Sequence, residues 1–443
     1  MILNSLYVFC YYFLMIASYF LGIGKKSKFY QSGKNLVDRP QGSHRLIDGN
    51  KLGLLVIPAF YYRLVYSILF IHKKFVVNQK TNNVAVYDEA NDESQRLDFI
   101  YKMTGELPSI YINKQELLRY EFPFYVKISL SLVYFVYSLF LLPFTLSKNR
   151  QLYALLLHEI YELSVLLLIC KKYKIRKLYY SCIFEKDSNS SAYILQKKGL
   201  YIIKNPSEDP LYFHNKFIIA DELGICNDYQ WEELEAYKAT IFVNKFQQWL
   251  PEQYDVILNK SVEKKTEIKN HTIGYYSGAS WLNAFLKNNL TTDAYNPYKA
   301  EEELELNLAN FLKEHNNYHL KIYLHPLEKR AQYIHLSVEH YDSKFNGLKY
   351  EIADVKRPNY EMFNECEIGV TVFSGIMIYR FYQGLKGIYY NPYFPNYPIK
   401  GSTFDSISAK NEEQLSRLIL EVIELEDAEF KNIKLNGKYN KSF

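Results

Sequence analysis

From residue 150 onward the chain alternates apolar strand-like runs with helical stretches, and no other feature narrows its fold as much. Residues 152–174 predict a helix with a basic end, 175–184 a strand, and 189–199 a helix stopped by Gly199. A strand at 200–211 enters a proline-bounded loop, then come a strand at 216–224, a helix at 230–238 and a strand at 239–246. Strands separated by helices imply βαβ units, in which crossover connections bring the strands into a parallel sheet.

A second series of the same kind follows. Residues 257–270, ILNKSVEKKTEIKN, are charged and aperiodic and mark the expected linker. A strand at 271–277 meets a small-residue turn at 278–280 and a helix at 281–289. A helix at 302–316, strands at 320–325 and 366–375, a helix at 376–383, a short strand at 386–392 and an amphipathic helix at 411–430 complete the chain. At 443 residues it exceeds the ~250–300 at which a single core stops growing. The expected fold class is therefore α/β, with two Rossmann-like domains facing across a cleft, the architecture called GT-B.

The first third has a different texture. Residues 1–23 carry no charge, are long enough to cross a bilayer and end in GKKSK. The positive-inside rule would put that basic end in the cytoplasm. A membrane anchor over 1–25 is expected here, ahead of a buried core helix or a signal peptide. The stretches 54–75 and 126–148 are apolar but interrupted by Arg63 and Pro143. They read equally as core helices or as interfacial helices that seat a monotopic protein on a membrane. The chain then divides into a membrane-proximal region at 26–150 belonging to the first half, a first Rossmann-like domain at 151–262 and a second at 263–443.

Charge and cysteine content exclude several classes. A net charge of +5, from 53 basic and 48 acidic residues, is too mild to imply nucleic acid as a partner. The five cysteines, at positions 10, 170, 182, 226 and 366, have no CxxC spacing, so neither zinc nor a disulfide framework is indicated. The 43 tyrosines and 28 phenylalanines suit a membrane interface or a sugar-stacking surface.

Three elements of the second half carry candidate chemistry. In YYSGAS, Gly278 admits close backbone approach, and Ser280 opens a helix whose free N–H groups suit an anion. In LKIYLHP, Pro326 ends the strand and holds His325 at its mouth, where open α/β sheets bind ligands. An imidazole there can donate to a phosphate, or carry charge if the phosphate raises its pKa. In VTVFSG, Ser374 and Gly375 stand where a strand gives way to a helix N-terminus. Lys329 and Arg330 are further phosphate partners or plain surface. Each element alone also reads as an ordinary turn or cap. In the first half, Asp221 and Glu222 follow the run FIIA and are expected at a strand end, with Glu185 and Asp187 as rivals.

The order strand–small loop–helix, strand–His-Pro, strand–Ser–helix–Gly–strand resembles the nucleotide-binding half of bacterial GT-B glycosyltransferases. It is most similar to the sialyltransferases and polysialyltransferases of capsule and lipooligosaccharide synthesis. The resemblance covers roughly 150–430. It implies that His325 and Ser374 contact the phosphate of a nucleotide-sugar donor, CMP-linked in those families. It also implies that the acid of Asp221-Glu222-Leu223-Gly224 is the general base, although Leu223 interrupts the families' acidic-acidic-Gly motif. No metal and no cofactor beyond the donor is expected, and the chain has no Asp-x-Asp. The implied partners are a nucleotide-sugar, a glycan or lipid-linked glycan acceptor and the cytoplasmic face of the bacterial inner membrane. A non-catalytic polysaccharide-assembly protein of the same shape is the alternative. A multi-span transporter or polymerase fits less well, because apolar stretches are confined to the first third.

Overall fold

Two parallel sheets of six strands each organise the described part of the molecule. The computed structural model describes residues 2–38, 83–88, 93–113, 150–180, 187–204, 218–226, 228–236, 241–249, 271–287, 297–372, 374–393 and 400–438, with part of the 128–139 segment. The expected linker at 257–270 and the apolar stretch at 54–75 lie outside these residues. The chain divides into two units. One comprises Met1–Cys226 with Tyr237–Leu250, the other Asn227–Ala236 with Pro251–Phe443.

The first sheet has the order β2-β1-β3-β4-β5-β6. Its strands are β1 (Val84–Asp88), β2 (Ile110–Asn113), β3 (Lys177–Tyr180), β4 (Tyr201–Lys204), β5 (Ile218–Ile225) and β6 (Ile241–Gln248), all paired in parallel. The sheet begins well upstream of residue 151. The helix Glu93–Thr104 carries the chain back so that β2 lies beside β1.

The N-terminal segment corrects an expectation. Residues 1–25 hold α1 (Ile2–Leu21), which buries Val8, Tyr12, Met15 and Ile16 in the first core. There they join Leu163 and Leu166 of the helix Arg150–Lys172 and Leu195 of the helix Asp187–Lys197. The Tyr12 hydroxyl shares a 3.1 Å hydrogen bond with Ser191 Oγ. Among the described residues no helix is long and apolar enough to cross a membrane. A span would strip these side chains from the core, so α1 serves the fold of the first unit and is not a transmembrane anchor. Helix α2 (Lys28–Asp38) crosses α1 closely because Gly33 has no side chain. A Cβ there would lie 1.9 Å from the Met15 carbonyl oxygen.

The second sheet comprises β7 (Thr272–Tyr276), β8 (His319–Tyr323), β9 (Tyr350–Ile352), β10 (Ile368–Thr371), β11 (Lys386–Tyr390) and β12 (Ser408–Ala409). Its order is β12-β11-β10-β7-β8-β9, with every pairing parallel. Counted from β7 this is 3-2-1-4-5-6, the dinucleotide-fold order. Gly274, Gly369 and Gly387 lie in one row across β7, β10 and β11. Gly369 and Gly387 make a shallow floor on which the helix Ile376–Tyr382 rests, while Gly274 leaves room for Cys366 and Tyr323. A Cβ on Gly387 would meet Met377 Cε at 2.1 Å, and one on Gly369 would meet Arg380 Nε at 2.9 Å.

The helix expected at 230–238 within the first domain is observed at Asp228–Ala236 and belongs to the second unit. Tyr229 stacks on Phe404 at 4.3 Å, and Glu232 accepts hydrogen bonds from Thr403 and pairs with Lys438. The expected helix at 411–430 is two helices, Glu412–Glu424 and Asp427–Ile433, broken at Leu425.

Candidate functional site

Strand order locates the candidate site. The chain leaves β7 toward β8 on one side and later returns to lay β10 on the other. The loops after β7 and β10 therefore diverge at the carboxyl edge, the switch point at which such sheets take ligands. Thr371 Oγ1 donates to the Tyr276 carbonyl at 2.8 Å, and the Ser277 N–H donates to the Tyr323 carbonyl at 3.2 Å. These bonds hold the ends of β10, β7 and β8 together. Gly278, Ser280, His325, Ser374 and Gly375 accordingly follow adjacent strands on one edge of one sheet.

His325 is fixed by its own loop. β8 ends at Tyr323, and buried Leu324 links it to the imidazole. The His325 N–H donates to Glu328 Oε2 at 2.7 Å, and Nδ1 accepts the Leu327 N–H at 3.1 Å. An Nδ1 that accepts leaves the neutral ring with its proton on Nε2. Burial, with nearby Arg330, pushes the pKa below that of an ordinary histidine. The ring is thus a half-buried donor through Nε2 whose charged form is disfavoured by burial.

Two buried carboxylates organise the edge, and neither was singled out by the sequence reading. Glu328 accepts from the His325 N–H, from Trp281 Nε1 at 2.5 Å and from the Tyr341 hydroxyl at 2.9 Å. Burial raises its pKa. Glu301 accepts the N–H groups of Gly278 at 2.6 Å and Ser280 at 2.8 Å. The turn donors expected to face a phosphate are therefore already filled by a side chain of the same unit. Burial, followed by the proximity of Glu305, pushes the Glu301 carboxyl up to about 8. The one available signal was spacing: Glu301 and Glu305 stand one helical turn apart on the helix Pro297–Glu314, and both are buried.

At the end of β10 the helix N-cap is Gly375, and Ser374 contributes its carbonyl to the Met377 N–H at 3.1 Å. No side-chain hydrogen bond caps this helix. Beneath this turn Arg380 is fully buried and donates to the carbonyls of Phe363 and Lys386 and to the Tyr276 hydroxyl. It ties the helix to strands β7 and β11. Lys329 donates to the Arg357 carbonyl and Asn359 Oδ1, each at 2.7 Å, so its ammonium has structural partners. Arg330 is exposed.

In the first unit the expected position of Asp221 and Glu222 is corrected. β5 runs on to Ile225, so both acids lie in mid-strand and not at its mouth. Asp221 Oδ2 accepts the Ile202 N–H of β4 at 2.8 Å, and Oδ1 accepts Asn244 Nδ2 at 3.2 Å. Its carboxylate replaces a ladder bond between strands. Glu222 is buried, accepts from the Tyr201 hydroxyl at 3.3 Å and lies 3.6 Å from Lys245 Nζ. Asp88 is the last residue of β1, in register with Asn113 at the end of β2. The first sheet has its own switch point between β1 and β3. Glu185 lies outside the described residues, and Asp187 begins a helix.

No protein-family model matches the sequence, and neither does any curated protein. Among solved structures, a putative UDP-N-acetylglucosamine 2-epimerase from Listeria monocytogenes superposes at TM-score 0.46 with 9% identity, covering 81% of this chain and 92% of that one. The O-GlcNAc transferase of Thermobaculum terrenum gives 0.39 with 8% identity, over 89% and 70% of the two chains. The wall teichoic acid polymerase TagF gives 0.33 with 10% identity, over 93% and 92%. Scores below 0.5 carry no argument about this chain. The assignment of two Rossmann-like units, as in a GT-B-like fold, rests on the two parallel six-stranded sheets and on the strand order of the second.

Proposed function

We propose that the chain is a glycosyltransferase that moves a sugar from a nucleotide-sugar donor to a cell-surface glycan. The observation that supports this reading most is the placement of His325, Ser374 and Gly375 on adjacent strand ends at the switch point of the second sheet. A neutral imidazole with its proton on Nε2 donates to a phosphate oxygen of the donor. Charge on the departing nucleotide is met by that N–H and by polar groups of the turn after β10, without a metal. A CMP-linked donor follows from the resemblance to sialyltransferases. The acceptor is a glycan or lipid-linked glycan, and the reaction belongs at the cytoplasmic face of a bacterial inner membrane.

A thermal-shift panel of CMP, UDP, GDP and dTDP on the full chain tests the donor side. A ligand at ~100 times its Kd stabilises by about 2.7 kcal/mol. CMP is expected to give the largest shift. His325→Ala should lose most of it, and His325→Gln should retain part, because the amide nitrogen reaches the place of Nε2. A shift by UDP alone would keep the site and discard the sialyltransferase-type donor. No shift by any of the four would sink the reading in favour of a non-catalytic protein, in which Glu301 keeps the turn donors permanently filled.

A further inference from the structure

Helix α1 has two apolar faces. Val8, Tyr12, Met15 and Ile16 face the core, while Leu6, Phe13, Leu14 and Leu21 are exposed. The exposed set repeats at helical spacing along one side of the helix, with exposed Cys10 between its members. The helical residues of the 128–139 segment repeat the pattern. Tyr137 is buried, whereas Leu132, Phe135, Val136 and Leu139 are exposed. Phe9 of α1 stacks on Tyr137 with ring centroids 4.5 Å apart and planes 4° from parallel. Exposed apolar side chains of α1 and of the described residues at 132–139 therefore lie on neighbouring segments of one unit. Soluble surfaces rarely gather this much contiguous apolar area without a partner.

The charges around the stripes say what that partner is. Residues 1–28 contain no acidic side chain, and the first charges after α1 are Lys25 and Lys26, both exposed just past Leu21 and Ile23. Toward the other end of α1, the Lys198 ammonium sits 3.7 Å over the Tyr7 ring. Tyrosines Tyr7, Tyr11 and Tyr19 are partly exposed along the flanks of the helix. An apolar strip with lysines at its ends and tyrosines at its sides matches the boundary between acyl chains and anionic headgroups. A second copy of the chain would bring another lysine-edged strip with no acid between residues 1 and 28 to answer it. We propose that α1 and the described helical residues of the 128–139 segment form a docking face that lies in the surface of an anionic bilayer without spanning it. The proposal stands apart from the catalytic reading, since it uses only the first unit.

Co-sedimentation of the full chain with vesicles tests it. Vesicles of phosphatidylcholine with phosphatidylglycerol should carry the protein down, with pure phosphatidylcholine binding more weakly and added salt reducing the difference. Phe13→Glu and Leu132→Glu alter exposed positions and should keep the native circular dichroism and melting temperature while losing vesicle binding. Lys25→Gln with Lys26→Gln should weaken binding to the anionic vesicles about 30-fold. Wild-type protein that stays in the supernatant with both vesicles would overturn the proposal. So would folded Phe13→Glu and Leu132→Glu variants that bind as wild type does. Lipid-free dimerisation that the same variants abolish would also overturn it, by assigning the face to a second copy.

Discussion

Glu301 shows how much of a site can hide from a sequence. His325 was legible because proline next to it fixes a strand end by local sterics alone. Glu301, Glu328 and Arg380 were not, because burial of a charged side chain is set by tertiary packing, and each looks like surface in its own segment. Glu301 also makes a testable pH sensor of stability. Its folded pKa of about 8 lies above the ordinary 4.5. A carboxyl with a raised pKa favours its protonated form in the fold. Its stabilising contribution is therefore complete below pH 4.5 and is lost as pH rises through about 8. Glu301→Gln keeps the shape and an acceptor for one turn N–H but removes the titration. Urea unfolding between about pH 5 and 8 should show a shallower fall in stability with pH for the variant than for the wild type. Identical slopes would mean that Glu301 does not titrate in that window.

At the scale of elements, periodicity found β7, β8, β10 and β11, which are longer or bounded by glycine and proline, and missed β9, β12 and the helix Ile334–Phe345. It lost β1 and β2 because VAVYD and IYIN are short and lie between apolar stretches that drew attention to a membrane. It misplaced Asp221 because β5 runs further than its apolar residues suggest. It misread residues 1–23 for a more general reason: an uncharged helix looks alike whether core or lipid receives it. Gly33 distinguishes the two environments. It allows α2 to sit against the Met15 carbonyl of α1, a fixed backbone atom, so an added side chain has nowhere to go. Gly33→Val should cost more than about 2 kcal/mol, at or above the usual overpacking penalty. Unfolding midpoints at unchanged denaturant slope measure it. A loss below about 0.5 kcal/mol would mean that α1 and α2 do not pack this closely.

For the whole molecule, the two sheets pose the same topological question, and the answer differs between them. Each has a switch point, but in the second sheet the strand ends beside it carry a histidine with a fixed tautomer and a serine-glycine turn. In the first sheet, Asp88 ends β1, Asp221 accepts a backbone N–H of β4, and Glu222 pairs with side chains of the neighbouring strands. If nucleotide binds where this asymmetry points, hydrogen exchange on the full chain should slow in a restricted pattern. Protection should concentrate in the loop 277–280 after β7, the loop 324–330 after β8 and the turn 374–376 after β10. The amides of Gly278 and Ser280 carry particular information, since Glu301 already holds them. Further slowing there would mean that ligand tightens the existing turn. Faster exchange would mean that phosphate displaces the Glu301 carboxylate and leaves it free to move. Either change locates the nucleotide at this edge. Protection confined to the carboxyl ends of β1 and β3 would move it to the first sheet and undo the assignment of His325.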